Sequence, residues 1–292
     1  MTDDPSLRDL LDRAYATHAD APGDFAALLA QRAPELPPDA LGGESIRLAE
    51  HLWLGHLADP AGLQSFIAAL PAALHSDEAT APSLRRAAWA MAALQAAPDA
   101  PTAPSPPDAS RWRALQNVLL AMVLQGRSAQ AQGILLADEA AAATHADIAA
   151  RQAYAACANN IALDLRLGVR DDADRDALML AAAALARRAW GHAGTWLHAE
   201  RAEYQLALCH AVLGHAEPAL HHAGLCLAAV QANSGGTLER FFAHEALARA
   251  HQVAGQPDAA RGQAAQMRAL LDQIADQADH AWCAKTLDAL PA

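Results

Sequence analysis

An all-α fold of stacked helical hairpins is what this sequence predicts, and three observations predict it. Hydrophobic residues make up 53% of the chain but aromatics only 4%, so alanine and leucine supply most of the apolar surface, and both favour helices over sheets. Runs rich in Val, Ile and Thr between hairpin turns are absent, which argues against strands. Four glycines, Gly126, Gly168, Gly214 and Gly255, recur at intervals of 42, 46 and 41 residues, each between two amphipathic stretches. Spacing of that size marks repeated helical hairpins stacked into a solenoid.

Taken in order, apolar periodicity places five helices in an N-terminal block, 1–97, near 6–17, 24–33, 44–58, 61–74 and 83–97. The breaks contain PELPPDALGG, Asp59-Pro60 and Ala81-Pro82, and a proline in the first helical turn is pre-set for its start. The segment 98–110 follows, where prolines fix φ and remove donors too often for a helix; it reads as a linker or long loop. The block 111–292 carries the glycine period. Each glycine can close its helix in the left-handed conformation, and five residues on stands an alanine, Ala131, Ala173, Ala219 or Ala260, small enough for the second helix to pack closely on the first.

Counting back eleven, eight, seven and four residues from each glycine gives a packing stripe. It comprises Leu115, Val118, Leu119 and Met122, then Cys157, Asn160, Ile161 and Asp164, then Glu203, Leu206, Ala207 and His210, and last His244, Leu247, Ala248 and His251. A second stripe lies thirteen, nine, six and two residues back and holds Arg113, Asn117, Asn159, Arg166, Arg201, Gln205 and Arg249. Three successive units place an amide nine residues before the glycine.

The stretches VLLAMVLQGRSAQAQGILL, LALCHAVLGHAEPALHHAGLCL and LARAHQVAGQPDAARGQAAQM resemble the tetratricopeptide repeat over about 112–275. The intervals are longer than that family's 34 residues, and its early Trp and later Tyr are missing. The second unit also carries an acidic loop, VRDDADRDA. The resemblance implies a right-handed α-solenoid of antiparallel helix pairs whose first helices line a concave surface. On that surface Arg113, Asn117, Asn159, Arg166, Arg201, Gln205 and Arg249 would grip an extended peptide, the arginines favouring an acidic segment or a free C-terminus. The alternative is a regulatory module sensing a small ligand in a polar pocket around Asn160, Asp164 and His210.

Chemistry of other kinds finds little footing. The formal charge is −12 and the only lysine is Lys285, so the chain offers no basic run for a phosphate backbone, and nucleic acid is not an expected partner. Neither is a membrane, because the longest uncharged stretch, 218–238, contains His221, His222, Gln231, Asn233 and Ser234. The acidic start MTDDPSLRDLLDRA is no secretory signal. Cys157, Cys209, Cys226 and Cys283 form no CxxC pair and read as buried thiols of a cytoplasmic protein.

Among fourteen histidines, His244 and His251 are seven residues apart, about 10.5 Å along a helix, too far for one ion. His222 and Cys226 offer two ligands, where a structural zinc needs four. No phosphate loop, nucleophile elbow or kinase set is present. The expectation is therefore a noncatalytic protein-binding scaffold without catalytic residues, metal or cofactor.

Overall fold

The computed structural model describes residues 6–95 and 108–290, whose regular elements are all helices, with no strand among them. Most of the proline-rich segment, 98–107, lies outside the described residues. The chain divides into two compact units, 1–131 and 132–292. The division falls later than the proline-rich segment, because the helix after that segment packs within the first unit.

The first unit opens with α1 (Leu7–Thr17), held by a capping box between Ser6 and Asp9, and α2 (Pro22–Arg32). Helix α3 (Ala40–Glu50), capped by Asp39, runs without a break into a π-helical turn, His51–His56. There the Leu57 amide donates to Leu52 O at 3.1 Å, five residues back. Ala58, with φ at 48°, ends the run. The span 61–74, expected as one helix, is two: α4 (Pro60–Ala68) and α5 (Ala72–Ser76). Pro71 separates them, having no amide to continue the ladder. Helices α6 (Ala81–Gln95) and α7 (Asp108–Leu124) follow; α7 packs on α6 and on the π turn, and α3 packs on α6. Leu11, Leu29, Ile46, Leu52, Leu54, Leu63 and Trp112 fill the interior. The first-unit packing stripe, Leu115, Val118, Leu119 and Met122, is buried as its spacing predicts. Helix α8 (Ser128–Ala137) carries the chain from one unit into the next.

In the second unit the short α9 (Glu139–Thr144) leads to α10 (Ile148–Leu167), α11 (Ala173–Ala193), α12 (Trp196–Val212), α13 (Ala216–Ala232), α14 (Thr237–Val253), α15 (Pro257–Leu271) and α16 (Gln277–Asp288). Packing is sequential: α10 on α11, α12 on α13, α14 on α15, with α11 on α12 and α13 on α14 joining the pairs. The leading helices also meet directly, α10 on α12 and α12 on α14. Between α12, α13 and α14 the seam is almost wholly alanine: Ala207, Ala211, Ala219, Ala223, Ala246 and Ala250. Phe241, Met267, Leu270 and Cys283 close the far end. Among the described residues, no helix is long and apolar enough to cross a membrane.

Three of the four glycines share one closure. Gly126, Gly214 and Gly255 have φ of 73°, 72° and 68°. The residue after each donates back over five positions, Arg127 to Met122 O, His215 to His210 O and Gln256 to His251 O, at 2.8–2.9 Å. Ala131, Ala219 and Ala260 are buried accordingly. Gly168 is extended instead (φ −81°, ψ 177°), and the Arg170 guanidinium takes the Leu165 carbonyl. Ala173 is exposed, and the acidic loop delays the first buried position of α11 to Leu178.

Candidate functional site

The residues expected along a peptide groove meet different fates. In the second unit, Arg166 on α10 is partly buried, and its Nε has no hydrogen-bond partner among the described residues. Its charge acts on Tyr204 and Cys209 of α12. Arg249 on α14 is tied to Glu245 (Nε–Oε1 2.7 Å), whose other oxygen accepts from the Tyr204 hydroxyl at 2.7 Å. Gln205 is buried and donates to Cys209 Sγ at 3.8 Å. Asn159 is partly buried and Arg201 exposed. Arg166, Tyr204 and Arg249 thus form a polar strip across three consecutive leading helices.

Asn117 and Arg113 belong to the first unit, where Arg113 is exposed and Asn117 is 2% exposed. Of the suggested pocket residues, Asn160 is partly buried and Asp164 exposed. His210 meets His215 (Nδ1–Nδ1 3.3 Å) and stacks on His222. Hollows of about 70 Å³, lined by Glu139, Tyr154 and Arg188, of about 400 Å³, lined by Val230, Arg240 and His244, and of about 470 Å³, lined by Gln252, Arg261 and Arg268, lie in this unit, and none of the three includes Asn160, Asp164 or His210. The four cysteines are buried and free.

Asn117 leads to a constellation that sequence reasoning missed. Its amide nitrogen donates to Glu50 Oε1 at 2.8 Å, and Arg86 grips the same buried carboxylate through Nε and Nη2 (3.1 and 2.9 Å). A carboxylate oxygen accepts only, so the orientation of the Asn117 amide is settled: its Oδ1 faces His51 Nδ1, 2.8 Å away. His51 must therefore carry its proton on Nδ1. His18, capping the C-terminal end of α1, places Nδ1 2.7 Å from the Ala14 carbonyl, which fixes the same tautomer.

Both Nε2 atoms are left bare, and they lie 2.9 Å apart; His56 Nε2 is 3.1 Å from that of His51. The three rings stand edge to face, centroids 4.7–4.9 Å apart. Burial, then the charges of His51 and His18, lower the His56 pKa to about 4; burial likewise lowers that of His51.

The π turn makes this convergence possible. Residues five apart in an α-helix are about 500° around the axis, 140° off a common face, whereas a turn closed by an i to i+5 bond brings His51 and His56 together. Gly55 gives the room: a Cβ there would stand 3.1 Å from Asn117 Oδ1 and 3.2 Å from His51 Nδ1. The sequence holds one faint signal, the HLWLGH run, whose spacing fits neither a helix face nor a strand. Among the described residues, these three histidines are the one group of three or more metal-ligating side chains whose donor atoms all lie within 4.8 Å of one another. No family model, curated protein or solved structure matches the chain.

Proposed function

We propose that the second unit is a tetratricopeptide-like docking scaffold, a right-handed solenoid of antiparallel hairpins that binds an acidic segment or free C-terminus of a partner protein. The repeated left-handed glycine closures and the alanine seam between successive pairs support the repeat reading. So does the direct packing of α10 on α12 and of α12 on α14, which sets leading helices side by side as a groove floor requires.

The observation that carries the binding reading is Arg166. It is a partly buried guanidinium whose charge acts on Tyr204 of the next leading helix, at a helix position predicted to face a peptide; its Nε is sealed from solvent, which leaves the terminal nitrogens to meet a partner. A carboxylate would pair with those nitrogens through charge-assisted hydrogen bonds. Arg201 and Asn159 flank the role, while Gln205 and Asn117, being buried, contribute to packing. No catalysis is part of this proposal.

Binding of fluorescein-labelled Asp/Glu-rich peptides, measured by anisotropy at low salt, tests it. Wild type should bind and weaken as salt rises, and Arg166→Glu should cost at least tenfold in affinity. Arg113→Glu, in the other unit, should leave affinity unchanged. Equal binding by wild type and Arg166→Glu would remove the groove.

A further inference from the structure

We infer that His18, His51 and His56 form a binding site for one first-row divalent transition ion of the zinc class, held through three Nε2 atoms with a fourth coordination position left to solvent or a small anion. The argument begins with protons. The Ala14 carbonyl and Asn117 Oδ1 place hydrogens on the Nδ1 atoms of His18 and His51, so the two Nε2 lone pairs face each other at 2.9 Å with no hydrogen to join them. Such a pair repels unless a cation lies between. A single extra proton could bridge one pair of nitrogens, but three converge here, and a metal ion can serve all of them.

Distances agree. With Zn–N bonds of about 2.0–2.1 Å in tetrahedral geometry, ligand nitrogens stand about 3.3 Å apart. The observed 2.9 and 3.1 Å about His51 need a few tenths of an ångström of expansion, and the third separation, between His18 and His56, lies within 4.8 Å.

The surroundings have the form that metal-ligating histidines take. Each ligating imidazole usually donates its other N–H to a carbonyl or carboxylate, which fixes ring orientation and raises basicity. His18 uses a backbone carbonyl, and His51 uses an amide that is itself anchored by Glu50 and Arg86. Glu50 is wholly buried; a buried Arg–Asn–carboxylate relay is a costly way to orient a ring that had only to fill space.

Ligand chemistry selects the ion. Three imidazoles, with no carboxylate or thiolate joining them among the described residues, suit zinc, copper, nickel or cobalt and do not suit calcium or magnesium. Three protein ligands leave one tetrahedral position open, the arrangement of exchangeable rather than closed structural sites. The three histidines are all partly buried rather than sealed, so solvent reaches the group.

The test uses the full chain, stripped with chelator and titrated with zinc chloride by calorimetry, with elemental analysis after dialysis. One equivalent per chain is expected. His18→Ala and His56→Ala should each weaken binding at least a hundredfold, and Asn117→Ala ten- to a hundredfold. His210→Ala and His222→Ala, in the other unit, should bind as wild type. Circular dichroism identifies any variant that has lost its fold, and His56→Gln, closer in volume, then replaces His56→Ala. Cobalt(II) loading should give the intense visible bands of a tetrahedral centre, and azide should shift them. Absence of zinc binding, or triad variants that bind as wild type, overturns the site; a cobalt spectrum indifferent to azide overturns the open position.

Discussion

His210 projects from α12 among two other imidazoles, and burial, then the charges of His222 and His215, lower its pKa to about 4. Its unfolded value is near 6.5. The folded state therefore binds fewer protons than the unfolded one between those values, so the contribution is complete above about pH 6.5 and declines as pH falls toward 4. Because the side chain is partly exposed, the loss is on the order of 1–3 kcal/mol rather than the full linkage value. Urea unfolding of wild type and His210→Gln at pH 7 and pH 5 should show a larger acid penalty in wild type; identical penalties would dismiss this account. Nearby Glu203, which burial alone would push up, is held below its ordinary value by His222 and Arg187, so its protonation weakens the unit only at still lower pH. The residue scale is also where sequence reasoning reached least. Asn117 sits in register with Asn159 and Gln205, and periodicity reads all three as one outward row. A row on a helix says nothing about which partners other helices bring, and here Glu50 and His51, more than sixty residues away in the chain, draw Asn117 inward.

Helices themselves were largely legible, because apolar spacing and proline placement act locally. The glycine period went further and foretold left-handed closures, three of which are present. The fourth differs, and the difference is measurable. At Gly214 a Cβ would touch nothing, so Gly214→Ala costs only the left-handed backbone penalty, about 1–2 kcal/mol. At Gly168 the backbone is already one that any residue adopts, and an added Cβ meets Leu165 O at an ordinary 3.4 Å; there alanine should be neutral or add up to about 1 kcal/mol by reducing unfolded-state freedom. Thermal denaturation of the two variants side by side should move the midpoint down for the first and not for the second. Two features of the first unit eluded periodicity. The break at Pro71 lies within a continuous apolar run, and the π turn has a period no amphipathic template contains, so 44–58 read as a single α-helix.

At the scale of the molecule, a formal charge of −12 means self-repulsion and attraction for cations at long range, neither of which selects a site. Selection comes from the fold, and every proposed metal ligand and its hydrogen-bonded support lies in 1–131. Hydrogen exchange with and without zinc should therefore show added protection in peptides covering α1, 46–58 and α7, and none across α12 to α16. Protection spread evenly over both units would contradict that assignment. Sequence reading had no access to this group, since His18 stands 33 positions before His51 and only the packing of α1 joins them. The π turn has one more effect, on everything that follows it. By holding an additional residue in one turn, it covers in five steps what an α-helix covers in four, so the chain after it keeps the phase of an α-helix one residue shorter. Removing one residue between His51 and His56 would restore the ordinary period, leave the two imidazoles four apart on a common face, and keep Leu57 in nearly the phase it has now. The extra residue is thus spent inside the turn, where it widens the helix beside His51 and His56 and leaves the rest of the first unit in register.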